Sequence, residues 1–506
     1  MGTVSGLIRV GRRLTNLRAF SGRTTDLGPI LVVVAAALVT HSVVRYRPGL
    51  VLGYTLLAAL LGISLWRSRT TRPPSTGAWA LALVVAAAMA MRVHAFTYLS
   101  GTQASGVRQL TALTALATAA LLVSGHRRAG ALAVGAALTG YLLCAVLLVH
   151  EDPRPHIDVW VTLQQGSEGL FHGKDLYTQH WVGSPGMKNE FTYLPWTAVL
   201  VAPAWLVAHD VRWALIACTG LCAGIALALT GAGPRAWWRP GRSLIAEDLP
   251  RTPRAGTADE QAVDPRPAVP GPTPAGAGHG AAALLLLLPG TCTQVEQAWT
   301  EPLLLACLSL WAWAVHRGRS RTAVLALGLG LACKQHLVLV LVLAAAWRRF
   351  GVRKAAASAL VAGVLVLPWV IASPGDMWHD TVSVLVNFPP IRFADTLYLL
   401  AMHEFGWQPP FWLTGAVVLA VLGTSCRALR HRDVDAVAVL RWIAFVLLVA
   451  NLVNKQAFYN QYWLSIALVV MSWALPGTAR PDGPEPDREA TDSLSEARDR
   501  PAGVAA

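Results

Sequence analysis

The residues between His156 and Pro195 mix acids, amides and aromatics within a chain otherwise dominated by apolar runs. Asp158 lies a few positions past the end of one such run, where a membrane-spanning segment would meet water. A carboxylate at that boundary is suited to take a proton from a hydroxyl. His156, Glu151 and Asp152 are nearby alternatives, whereas Asp175 reads as a turn residue. Glu296 is a second acid, able to act in the chemistry or to accept a hydrogen bond from a hydroxyl. Tyr177, Tyr193 and Trp160 offer ring faces on which a ligand could stack, although aromatic belts at membrane interfaces use the same residues. Lys334 beside His336 could hold a phosphate as a point charge. Lys455, Tyr459, Asn460 and Tyr462, just ahead of the last apolar run, could meet a phosphate or a sugar. No His/Cys/carboxylate cluster has metal-ligand spacing and no Gly-rich loop follows a strand, so neither a metal, a cofactor nor a nucleotide is expected.

The elements that carry these groups follow from composition. Apolar residues make up 54% of the 506 and charged residues 14%, and the mean hydropathy is +0.46. Soluble domains carry about 25% charged residues. Apolar runs at 31–44, 50–66, 78–91, 110–123, 129–149, 213–229, 355–372, 414–422 and 436–450 approach the ~20 residues that cross a bilayer. The formal charge of +14 comes mostly from arginine, five of the 42 basic residues being lysine. These arginines sit in short clusters between apolar runs, a pattern that sets membrane orientation and argues against a nucleic-acid surface. The seven cysteines are scattered without CxxC spacing and read as small core residues. No small-residue cleavage pattern marks a signal peptide.

Charge also gives a topology. Arg9, Arg12, Arg13, Arg18 and Arg23 hold residues 1–27 in the cytoplasm, and Arg67/Arg69/Arg72 and Arg127/Arg128 mark later cytoplasmic returns. The run at 129–149 then points outward, and the loop at 150–193 is exterior. Long loops are functional or disordered, and six Trp, Tyr and Phe residues in 156–195 argue for function. Segment 194–209, with Pro195 and Pro203, is expected to be a short embedded helix, because a full span there would put the Arg317/Arg319/Arg321 cluster outside. On this path Arg348/Arg349/Arg353/Lys354 and Arg427/Arg430/Arg432 are cytoplasmic as well. The exterior gathers 289–296, Lys334-Gln-His336, 374–408 and 451–462. Lys334 lies between two apolar stretches too short to span alone, which predicts a broken or paired short helix. Residues 232–279 and 476–506 are polar or Pro/Gly/Ala-rich, and are expected to be disordered and cytoplasmic.

In order and sidedness these motifs resemble the membrane glycosyltransferases of the GT-C fold that use polyprenyl-phosphate sugars, above all the polyprenyl-phosphate-mannose-dependent α-1,2-mannosyltransferases. The resemblance rests on Asp158 in the first exterior loop of the core, Gly173-Lys-Asp-Leu-Tyr177, Phe191-Thr-Tyr-Leu-Pro195 leading to Pro203, Gly290-Thr-Cys-Thr-Gln294-Val-Glu296, and Lys334 ahead of an apolar return helix. It covers roughly residues 130–475. It implies an all-α polytopic membrane protein, a GT-C-like bundle of about 13 spans in the cell membrane. Four helices at 28–124 precede a core at 125–475, and both termini are cytoplasmic. It also implies transfer of a hexose, mannose by resemblance, from a polyprenyl-phosphate sugar donor to a lipid or glycan acceptor, with Asp158 as general base. A transporter or flippase of lipid-linked sugars is the competing class, since it too needs broken helices and polar groups among spans. Against it, the ionisable residues gather at one face instead of a midplane.

Overall fold

The computed structural model describes residues 24–41, 45–67, 73–124, 126, 128–230 and 276–474. Among them the chain is helical and contains no strand. A helix satisfies its own backbone groups, as a segment in hydrocarbon must. The first helices are α1 (Thr24–His41), α2 (Pro48–Arg67), α3 (Thr76–Arg92), α4 (Gly101–Val123) and α5 (Ala129–Glu151). The amphipathic α6 (Asp158–Phe171), the short α7 (Trp196–Ala208) and α8 (Arg212–Leu229) follow. Then come α9 (Gly276–Leu287), α10 (Thr291–Glu296), α11 (Glu301–His316), α12 (Ser320–Leu331), α13 (Val338–Ala346) and α14 (Gly351–Ala372). The chain continues through α15 (Pro374–Trp378), α16 (Val384–Asn387), α17 (Leu397–Phe405), α18 (Phe411–His431), α19 (Val439–Val453) and α20 (Tyr459–Ser472).

Six of these, α2, α4, α5, α8, α14 and α18, are long and apolar enough to cross a membrane. The outer ones turn apolar side chains outward: on α14, Leu360, Val364 and Ile371 are 69%, 59% and 71% exposed. Water would not tolerate such a continuous surface without association. The opposite extreme is α9, in which every residue from Ala277 to Leu287 is buried. It packs against α3, α5, α8 and α20, and at Gly280 the Trp79 indole of α3 occupies the space a side chain would need. Meanwhile α1 packs on α20 and α2 on α19, so the first four helices share the core of the rest.

Several sequence expectations meet their elements here. The 13-residue α7 is about 20 Å long at 1.5 Å per residue, short of the ~30 Å hydrocarbon core, as the embedded-helix reading of 194–209 requires. Lys334 follows α12 and precedes a 3₁₀ turn, Gln335–Leu337, that leads into the nine-residue α13, giving the paired short helices. Two boundaries differ. The polar stretch at 150–193 is not all loop: α6 forms because Val161, Leu163, Gly166 and Gly169 make a buried, small-sided face, which packs on α7. Residues 276–279 belong to α9 and not to a disordered insert, since Gly276-Ala-Gly-His279 lets the helix approach its neighbours closely. The rest of that insert, the 475–506 tail, residues 1–23 and Arg127 lie outside the described residues.

Candidate functional site

Asp158 is the first residue of α6, and its Oδ1 accepts from the Val159 N–H at 2.8 Å. The positive end of the helix dipole therefore meets a carboxylate. Gly186 closes over the other oxygen, for a Cβ there would lie 2.6 Å from Oδ2. The side chain is half-buried. What fixes α6 is a set of bonds to the α7–α8 turn. The Gln164 amide donates to His209 O at 2.7 Å and accepts from the Val211 N–H at 3.2 Å, and the Trp160 indole reaches Asp210 Oδ1 at 3.5 Å. Asp210 is itself gripped by the fully buried Arg212, Nη2 to Oδ2 at 2.6 Å. The same nitrogen donates to Asp152 O at 2.8 Å, which ties in the end of α5. Burial pushes the Asp152 carboxyl above its ordinary range, against the pull of Arg212.

A second wall is the strand-like segment 191–197 laid along the tip between α12 and α13. Leu194 and Trp196 donate backbone N–H groups to Cys333 O and Ala332 O at 3.1 and 3.3 Å, and Thr197 Oγ1 donates to Cys333 O at 2.6 Å. Gln335 Nε2 donates to Thr192 O at 2.9 Å. Asp380 Oδ2 accepts from the Phe191 N–H at 2.7 Å, and burial raises this carboxyl although that bond and His379 favour its charged form. Lys334 Nζ then stands 5.5 Å from the Tyr193 ring centre, a cation–π distance. The ammonium is not a free cation: Nζ meets Glu301 Oε1 at 2.6 Å, and Glu301 is fully buried. The other carboxylate oxygen accepts from Asn460 Nδ2 at 2.7 Å.

These walls enclose a cavity of about 1920 Å³, which joins Asp158, Tyr193, Lys334, His336, Lys455, Tyr459 and Asn460. These seven candidates from sequence, and Tyr462 with them, thus meet in one place, although they span about three hundred positions of the chain. Thr97 and Tyr98, from the α3–α4 connection, line it too. Its lining also includes exposed Arg392 and half-buried Lys455. Lys455 Nζ donates to Val386 O at 2.7 Å, and desolvation lowers its pKa. Leu385, Phe388, Phe393, Phe411 and Phe458 add apolar surface. This volume exceeds the ~300–1,000 Å³ usual for small-molecule pockets, and the mixed lining suits an amphiphile.

Two expected site residues stand behind the wall. Tyr177 is buried, and its hydroxyl donates to Tyr193 O at 3.0 Å, so it props the segment instead of touching a ligand. Glu296 is 1% exposed. Its Oε1 accepts from the Thr97 and Tyr98 N–H groups at 2.7 and 2.9 Å, and its Oε2 accepts from Gln297 Nε2 at 3.0 Å. Neither lines the cavity. Sequence reasoning overlooked Glu301, Arg392 and the Asp210–Arg212 pair. The available signals were an acid opening a 16-residue apolar helix as Glu301-Pro302, and two opposite charges two positions apart between apolar runs. Among the described residues no three His, Cys, Asp or Glu side chains gather to hold a metal ion.

The described residues form a helical bundle without strands, with six membrane-length apolar helices and a large cavity of mixed polar and apolar lining. Comparison with protein-family models, curated proteins and solved structures returned no match for the chain.

Proposed function

We propose that the chain is an integral membrane glycosyltransferase of the GT-C type, with about 13 membrane helices when the shorter apolar ones other than the embedded α7 are counted. It moves a hexose, mannose by the sequence resemblance, from a polyprenyl-phosphate donor to a lipid or glycan acceptor at the exterior face of the cell membrane. The observation that carries this reading is the large cavity, whose lining combines a half-buried carboxylate, Asp158, with two cations, Arg392 and Lys455, and with aromatic and apolar side chains. An isoprenoid phosphate sugar has those same three parts: apolar tail, anionic link and polyol.

The chemistry is one displacement. The acceptor hydroxyl oxygen forms a bond to the anomeric carbon as the bond from that carbon to the phosphate oxygen breaks, and Asp158 takes the hydroxyl proton. The electron pair leaves on the polyprenyl phosphate. Positive charge held in place before the reaction lowers the cost of that departure, and Arg392 and Lys455 supply it. Gly186 and the buried Arg212–Asp210 pair hold the base in position.

Purified protein in nanodiscs, given a labelled polyprenyl-phosphate mannose and a glycolipid acceptor, should move label to the acceptor. If label never leaves the donor, yet the labelled donor crosses the bilayer in proteoliposomes, the protein is a flippase and the enzyme reading is wrong.

A further inference from the structure

We propose that Lys334, Glu301 and Asn460 form a subsite for the hydroxyl groups of a neutral sugar, in which Glu301 is a positioning residue that withdraws Lys334 from anion binding. The inference rests on the proposed function for the identity of the ligand. It reverses the expectation, drawn from sequence, that Lys334 holds a phosphate.

The geometry begins with the carboxylate. Glu301 is fully buried and does not line the cavity, whereas Lys334 and Asn460 do. One oxygen takes Lys334 Nζ at 2.6 Å and the other takes Asn460 Nδ2 at 2.7 Å. A single acid behind the wall therefore aims a donor and an amide that are far apart in the chain. Because the acid and the ammonium cancel, the trio carries no net formal charge. A phosphate arriving at Lys334 would also face the carboxylate behind it, at the low effective dielectric of a buried site where that repulsion is large. Among the described residues neither Arg392 nor Lys455 pairs with a carboxylate, so the anion has a better place beside those two cations.

What remains free on the trio fits a diol. An ammonium has three donors. One goes to Glu301 and a second lies 3.3 Å from Thr300 Oγ1, which leaves a third. Asn460 is 6% exposed, and its Oδ1 has no hydrogen-bond partner. The carboxylate on Nδ2 fixes which atom of the amide is the oxygen. That oxygen is sealed behind the cavity surface, so a ligand donor meets it only when the wall opens at Asn460; a buried acceptor left unsatisfied is costly, and such a donor would relieve that cost. Adjacent sugar hydroxyls supply both partners: one accepts from Lys334 and the next donates to Asn460 Oδ1. The Tyr193 ring beside Nζ offers an apolar face to the same sugar.

The test uses the full-length protein in nanodiscs and two probes, an alkyl mannoside and an alkyl phosphate, with binding measured for the wild type, Lys334→Gln, Glu301→Gln and Arg392→Gln. Lys334→Gln should weaken the mannoside about 10-fold, roughly the loss of one charge-assisted hydrogen bond, and leave the phosphate within about two-fold. Glu301→Gln should weaken the mannoside similarly and strengthen the phosphate several-fold, because it unmasks the ammonium. Arg392→Gln should weaken only the phosphate. If Glu301→Gln fails to fold around an unpaired buried lysine, the double variant Glu301→Gln/Lys334→Gln removes both charges and should reproduce the Lys334→Gln pattern. Loss of phosphate binding in Lys334→Gln or in the double variant, as large as in Arg392→Gln, overturns the inference while the proposed function stands. A wild type that binds neither probe overturns both.

Discussion

Asp158 and Glu296 are two acids that the sequence offers as candidates, the first as base and the second as a possible partner, and the fold treats them in opposite ways. Asp158 is half-buried, uses one oxygen on the backbone of its own helix and keeps the other against a glycine in the cavity wall. Glu296 is sealed from solvent, and three donors occupy its two oxygens. The first arrangement leaves a lone pair where a substrate can reach it. The second spends three of its roughly four lone-pair directions, two of them on joining the α3–α4 connection to α10. Burial alone thus does not mark a catalytic acid, and unspent hydrogen-bonding capacity facing a cavity discriminates better.

The sharpest way to break this comparison is Asp158→Asn. The amide preserves size and can still accept from Val159, but it cannot take a proton at neutral pH. Turnover should fall about 10³-fold, in the range for loss of a general base, with donor affinity and apparent melting temperature unchanged. Label transfer under single-turnover conditions reads it. Substantial residual rate in a folded variant would move the base role to another group, and Glu296 would be the first to test.

The helical class, the short helix after Pro195 and the broken pair around Lys334 were legible because each depends on local patterns: apolar run length, proline and a charge between short stretches. Candidate residues such as Asp158, Lys455 and Asn460 were legible because a polar group between apolar segments has few other reasons to be there. The partners were not. Glu301 meets Lys334 across 33 positions and Asn460 across 159, and a one-dimensional pattern does not encode which acid answers which cation. The same holds for Thr97 and Tyr98. They belong to the segment 28–124 that the sequence set apart as a leading group, yet they line the cavity and clamp Glu296. Nothing local marked 158–171 as a helix either, since its buried face is made of small residues as much as of apolar ones.

A milder perturbation sharpens the comparison by moving Asp158 without removing it. Gly186→Ala places a methyl group 2.6 Å from Oδ2, and the carboxylate is the softer partner, so it should rotate away. Gly186 lies in a loop, so the fold should be spared. Misplacing a reacting group by a fraction of an ångström can cost about 10-fold in rate. The expected result is that drop in turnover, with melting temperature and binding of an alkyl phosphate unchanged. An unaltered rate would mean that the carboxylate works in an orientation other than the one Gly186 enforces.

Glu296→Gln should have the smallest effect on turnover, within about two-fold, and the interest lies in its stability. The amide oxygen can still accept from Thr97 and Tyr98, while the buried charge is gone. Burial raises the Glu296 carboxyl above the usual glutamate range, outweighing those hydrogen bonds. In the folded protein the acid therefore keeps its proton to higher pH than in the unfolded chain. As pH rises from the ordinary glutamate value through the raised folded value, the native state binds more protons than the unfolded one, and stability falls. Below that window both states are protonated and the penalty vanishes. The substituted protein lacks this dependence. Its apparent melting temperature should match or exceed that of the wild type near pH 7.5, by no more than about 1 kcal/mol of stability, and the gap should close toward pH 4. Thermal unfolding across pH, monitored by intrinsic fluorescence, checks the sign. A wild type that gains on the variant as pH rises would mean that the charged carboxylate is a net stabiliser of the α3–α4 connection, and the contrast with Asp158 would then rest on accessibility alone.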